Sequence, residues 1–190
     1  MTNVPSNPLE SVGVQGFAKL LRSGQITVED VASAYLERID ALDSHLGAYE
    51  YVAGDSALAQ ARSLDGLLAA GTDLGPLMGV PVAVKDLLVV KGMPTTAGSN
   101  LNVNGLAGDE GQFVSMLKRA GCVILGKTKT VEFAMGGTGI NLVRGTPWNP
   151  WDALTHRIPG LRILFFIQRA RINPHLPIFA SYKNRVGRHP

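Results

Sequence analysis

The segment GVPVAVK, Gly79 to Lys85, contains five consecutive apolar residues, Val80 to Val84, with no polar residue alternating among them. A strand with one wet face alternates, so an unbroken run fits a strand covered on both sides, as in parallel or mixed sheets with helices outside. A second run, CVIL from Cys122 to Leu125, reads the same way, and Asp109 to Ala120 between the two has helical spacing. This β-α-β order predicts an α/β fold, a mixed sheet flanked by helices. The 22 glycines suit the turns such a fold requires.

The preceding residues read as helices. Leu9 to Arg22 carries apolar residues at helical spacing and stops at Ser23-Gly24. Thr27 is placed to cap the amide of Asp30 and open a second helix with the apolar stripe Val31, Tyr35, Leu36, Ile39 and Leu42. Tyr49 to Ala53 reads as a short strand, and Asp55 as the cap of a third helix ending at Gly71.

At 190 residues the length suits one domain with a proper core. The single cysteine, Cys122, lies in an apolar run and cannot form an internal disulfide, which points to a reducing cytoplasm. MTNVPSNPLE has neither a basic n-region nor an apolar h-region, and ILFFI is too short to span a bilayer, so no targeting or membrane association is expected. The formal charge of +3 conceals a split. Residues 1 to 160 hold 12 Lys and Arg against 15 Asp and Glu, whereas residues 161 to 190 hold six basic residues and no acidic one.

Three stretches invite chemistry. GCVILGKT, Gly121 to Thr128, satisfies the phosphate-loop pattern G-x-x-x-x-G-K-[ST]. Its central residues want to be a buried strand, whereas the loop must follow a strand and open a helix, so nucleotide binding is a weak alternative. MGGTG, Met135 to Gly139, lacks the dinucleotide spacing and reads first as a tight turn. Lys85 closes a doubly buried strand, which places its amine near the sheet edge where α/β proteins gather ligands. A charge there must pair, with neighbouring Asp86 as one choice, or give up its proton and become available as a base toward a serine. Ser99 and Ser115 follow in the sequence, but neither sits in an evident nucleophile loop.

Taken in order, GVPVAVKD, KGMPTTAGS, LKRAGCVILGKT, VEFAMGG and TPWNP resemble the N-terminal part of the amidase signature hydrolases, over about residues 9 to 160. The resemblance implies a Ser-cisSer-Lys mechanism acting on a small-molecule amide. The lysine matching Lys85 deprotonates a serine held by a cis peptide, which relays the proton from the nucleophilic serine. Residues Met135, Gly136, Gly137 and Thr138 would line the substrate site, and neither metal nor organic cofactor is implied. Backbone amides would stabilise the oxyanion, usually a large term in acyl transfer.

The chain leaves the family pattern just before the catalytic serines. After TPWNP the family leads into a Gly-Gly-Ser-Ser loop and then a Gly-Gly-Ser turn. Here HRIPG is followed by LRILFF, and the only serine after Gly160 is Ser181. Glycine falls from 21 in the first 160 residues to one in the last 30. The sequence thus divides into an amidase-like unit, residues 1–160, and an atypical basic tail, residues 161–190, which reads as an out-of-frame translation or an equivalent rearrangement. Six scattered positive charges do not make a nucleic-acid surface. The expectation is an amidase-family chain that keeps the lysine, lacks both serine loops and is inactive as given; a non-catalytic partner-binding fragment is the alternative.

Overall fold

The computed structural model describes residues 5–103, 105–150 and 152–157. Helices α1 (Gly13–Arg22) and α2 (Val28–Leu46) lead into β1 (Tyr49–Val52) and α3 (Gly54–Ala69). There follow β2 (Pro81–Lys85), α4 (Gln112–Arg119) and β3 (Val123–Thr128), then a 3-10 turn, Glu132–Ala134. A small hairpin, β4 (Trp148–Asn149) with β5 (Asp152–Arg157), closes the described region. The main sheet has order β1-β3-β2, with β2 parallel and β1 antiparallel to β3. The expected α/β fold with a mixed sheet is therefore what forms.

Each element follows from its local sequence. The Thr27 hydroxyl accepts from the Asp30 amide at 3.0 Å while the Asp30 carboxylate accepts from the Thr27 amide at 3.0 Å, the capping box that opens α2. Gly47, at φ +56°, closes the helix. Asp55, in contrast, is not a cap: Ala53 occupies that position, Asp55 lies in the first turn of α3, and no side chain caps this end. The two carboxylate oxygens of Asp65 accept from the Val28 and Glu29 amides and tie α3 to the start of α2.

One face of the sheet packs on α1, α2 and α3 through Phe17, Val28, Tyr35, Tyr49, Ala57, Val123 and Leu125. The other face carries a smaller cluster of Val84, Val90, Val114 and Ile124, with Val114 supplied by α4. β2 and β3 are thus covered on both sides, as their unbroken apolar runs require. Gly79, at φ +79°, enters β2 where a Cβ would stand 2.7 Å from Val28 and 3.2 Å from Phe17, so only glycine lets the strand start against that core.

β3 runs three residues further than the apolar run CVIL suggests. Gly126, Lys127 and Thr128 belong to the strand, and every residue of β3 is buried. The phosphate-loop reading of GCVILGKT fails on this geometry, because its Gly-Lys-Thr end is paired strand and opens no helix. Helix α4 starts at Gln112 instead of Asp109, since Glu110 is drawn off to accept from the Lys91 amide and pair with Lys118. The tail, residues 161–190, lies outside the described residues.

Candidate active site

Parallel pairing sends the C-terminal ends of β2 and β3 to the same edge. Lys85 is the last residue of β2 and stands opposite Thr128, which in turn stands opposite Tyr49 of β1. Residues directly opposite share a face, so Tyr49, Thr128 and Lys85 form one row on the α2 and α3 side. Lys85 is half-buried at the end of this row. Among the described residues its amine has no hydrogen-bond or ion-pair partner. The Thr128 and Tyr49 hydroxyls, both buried, are likewise unpartnered among the described residues, as is the Thr130 hydroxyl just beyond the strand. Burial, with Asp43 and Tyr35 as further causes, pushes the Tyr49 phenol up.

Pairing with Asp86, one of the choices open to Lys85, does not occur. Successive strand residues face opposite sides, and the Asp86 amide, donating to the Thr128 carbonyl at 2.9 Å, extends the ladder by one residue. The Asp86 side chain therefore lies on the α4 side with Val84 and Val84's partner, Lys127. There the Lys127 ammonium sits 2.8 Å from Asp86 Oδ1, with side-chain exposures of 0% and 1%. This approach is an ion pair without the alignment of a good hydrogen bond, because Oδ1 has no hydrogen-bond donor. Lys127 also donates to the Pro94 carbonyl at 3.1 Å and the Thr95 hydroxyl at 3.0 Å. Asp86 Oδ2 accepts from the Thr96 hydroxyl at 2.5 Å and the Thr96 amide at 3.1 Å. The buried pair thus clamps the 94–96 loop to the sheet.

Beyond that clamp, Asn141 joins three segments. Its amide nitrogen donates to the Gly98 carbonyl at 2.7 Å and the Thr130 carbonyl at 2.8 Å; its oxygen accepts from the amides of Val143 and Arg144. Gly98 is obligatory here: at φ +72°, a Cβ would stand 2.7 Å from the Thr130 carbonyl oxygen and 2.9 Å from the Asn141 nitrogen. Ser99 is buried and donates to Glu132 at 2.6 Å, which makes it a tether for the turn after β3. Arg144 bonds the Glu50 carboxylate and, at 2.9 Å, Asn100, so β1 also holds this loop. Ser115 lies on α4.

Met135, Gly136, Gly137 and Thr138 follow the 3-10 turn as an exposed loop that leaves the same sheet edge as Lys85. Phe133 and Ala134, just before them, hold φ of +50° and +57°, and the Phe133 amide donates to the carbonyl of Ala97, itself at φ +52°. Three non-glycine residues in the left-handed region cost about 1–3 kcal/mol each, and such strain gathers at functional sites. Among the described residues no cluster of three or more His, Cys, Asp or Glu side chains is placed to hold a metal ion. No described helix is long and apolar enough to cross a membrane.

The family model described as Amidase matches residues 30–160. The chain belongs to the Amidase family. Over 143 residues it is 44% identical to a glutamyl-tRNA(Gln) amidotransferase subunit of Acidothermus cellulolyticus, covering 75% of this chain and 28% of that protein. It is 41% identical over 143 residues to 2-amino-5-chloromuconic acid deaminase of Comamonas testosteroni, covering 75% of this chain and 31% of that one. The solved peptide amidase of Stenotrophomonas maltophilia superposes with a TM-score of 0.68 at 31% identity, over 77% of this chain and 31% of that chain. This amidase chain therefore spans less than a third of the length of these relatives, as expected for the N-terminal part of the family domain.

The Asp86–Lys127 pair and the Asn141 hub were not anticipated from the sequence. A signal for the first was present, since an acid, Asp86, follows one buried apolar run and a base, Lys127, follows the other, and opposite charges near buried strands invite pairing. Nothing local marks Asn141, whose partners lie 11 and 43 residues away.

Proposed function

We propose that this chain supplies the lysine arm of an amidase site that cleaves carbon-nitrogen amide bonds, with Lys85 as the general base of a Ser-cisSer-Lys relay. The observation that carries the reading is that Lys85 stands at the C-terminal sheet edge, half-buried, with its neighbouring carboxylate engaged elsewhere. An amine without an ion-pair partner is available to take a proton from a serine hydroxyl brought within hydrogen-bond reach. The loop Met135 to Thr138 leaves the same edge and would line the substrate site. A small-molecule amide is the substrate class; relatives as different as a deaminase and an amidotransferase component leave its acyl part open. In this reading residues 1–160 are the amidase-like unit, residues 161–190 add nothing to the site, and the cytoplasm is the setting.

In this reading the 190-residue chain by itself is not a serine-dependent amidase, since LRILFF stands after Gly160 where the resemblance places the first serine loop. Ammonia release from simple carboxamides by the 190-residue chain should equal the buffer blank. Turnover that disappears in Lys85→Ala would overturn that statement. Joining residues 1–160 to the serine-bearing remainder of a relative should give turnover, and Lys85→Ala should abolish it. Activity of the joined protein that is indifferent to Lys85 would refute its role as base.

A partner-binding fragment is supported by one observation. Leu106, Met135 and Leu142 are 86%, 86% and 93% exposed, an apolar display that suits contact with further protein. Stable complex formation with the serine-bearing segment, supplied as a separate chain, would favour this reading in the absence of turnover.

A further inference from the structure

We propose that Lys127, the lysine of the GKT segment, is a positioning residue whose task is to absorb the charge of Asp86 and so leave the Lys85 amine free to act. The inference rests on the reading of Lys85 as base. A carboxylate adjacent in sequence to a general-base lysine is a hazard, because an uncompensated anion stabilises the ammonium form and removes the base. The fold answers this in two ways. Strand alternation sends Asp86 to the α4 side and Lys85 to the α2 side. Lys127 then meets Asp86 at 2.8 Å with both side chains shut away from water, so that the two charges cancel where solvent cannot screen them.

The other carboxylates on elements near this edge are also engaged. Glu50 of β1 is held by Arg144, Glu132 accepts from Ser99, and Asp43 at the end of α2 accepts from the Ala48 and Tyr49 amides. Lys85 is left as the amine at the edge with no acid paired to it among the described residues. The phosphate-loop pattern that first drew attention to Lys127 thus has a different physical origin. Its lysine neutralises a buried anion that belongs to the protein.

The test uses the full 190-residue chain and residue-resolved acylation by N-hydroxysuccinimidyl acetate at fixed pH, read by mass spectrometry as the rate at Lys85 divided by the rate at exposed Lys91. Only the neutral amine reacts. In Lys127→Met the Asp86 carboxylate keeps its two Thr96 donors but loses its counter-charge, and the uncovered anion should slow Lys85 relative to Lys91 by about threefold or more. Asp86→Asn combined with Lys127→Met removes both charges and should restore the wild-type ratio. A merely structural role predicts no recovery in the double variant, since Asp86→Asn does not restore the Lys127 contacts to Pro94 and Thr95. A ratio that is unchanged or raised in Lys127→Met, or a double variant that fails to restore it, would overturn the proposal. Circular dichroism on each variant confirms that folded protein is compared. Because the labelling ratio needs no serine, its failure is separate from failure of the amidase reading, which is judged by turnover of the joined protein.

Discussion

Replacing Lys127 by Met should be among the most damaging single changes this chain can suffer. The ammonium lies at 0% exposure, paired with Asp86 at 2.8 Å and donating to the Pro94 carbonyl and the Thr95 hydroxyl. Methionine fills a similar volume, so the loss is electrostatic and not a cavity. What remains is a carboxylate at 1% exposure whose Oδ1 faces no counter-charge. Breaking a buried pair from one side costs about 3–5 kcal/mol, against a total stability of about 5–15 kcal/mol for a domain. With a urea dependence of about 2 kcal/mol per molar, the unfolding midpoint should fall by roughly 1.5–2.5 M. Asp86→Asn should also destabilise, by stranding the ammonium instead. The double variant should lose much less than the sum of the singles, because a neutral pair of similar shape carries no desolvated charge. Equilibrium unfolding followed by circular dichroism measures all three. A midpoint shift below about 0.5 M for Lys127→Met, or strict additivity in the double variant, would refute the claim that the pair acts as a unit.

Gly98→Ala should cost more than about 2 kcal/mol, since a left-handed alanine is strained and its Cβ would press on the Thr130 carbonyl oxygen at 2.7 Å; the denaturation midpoint reports it. Asn141→Ala removes four hydrogen bonds at a buried site and should destabilise by about 3 kcal/mol, with faster amide hydrogen exchange confined to residues 97–99 and 141–146 as the specific sign. Thr27→Ala should cost about 1 kcal/mol through loss of the α2 capping box. The Thr27 hydroxyl, and after it the Thr27 amide, hold Asp30 below the usual carboxylate range. This support is therefore complete above the ordinary aspartate value and is lost as pH falls through the lowered one. Thermal melts from pH 6 down to pH 2 should show a steeper acid-side loss in the wild type than in Thr27→Ala, and parallel curves would count against the cap.

Much of the fold was legible because its determinants are local. Thr27 caps through an amide three residues away, and the apolar runs at Val80 and Cys122 announce strands covered on both faces. The errors were local as well: β3 continues past the apolar run because its last residues are held by pairing to β1 and β2, a stabilisation no single-strand pattern records. Asp55 failed as a cap since its register places it inside the helix, one residue beyond the glycine at the start.

The candidate site divides the same way. The sequence by itself determined that a lysine would close a buried strand, that the blocks from GVPVAVKD to TPWNP resemble one family, and that LRILFF follows Gly160. Tertiary structure alone decided the partner of each charge. Asp86 adjoins Lys85 in the chain yet answers to Lys127, 41 residues further on, because pleating puts neighbours on opposite faces while strand pairing puts distant residues side by side. Burial then makes the assignment binding, since a charge removed from water must find its complement within a few ångströms, and in this fold that complement lies across a strand.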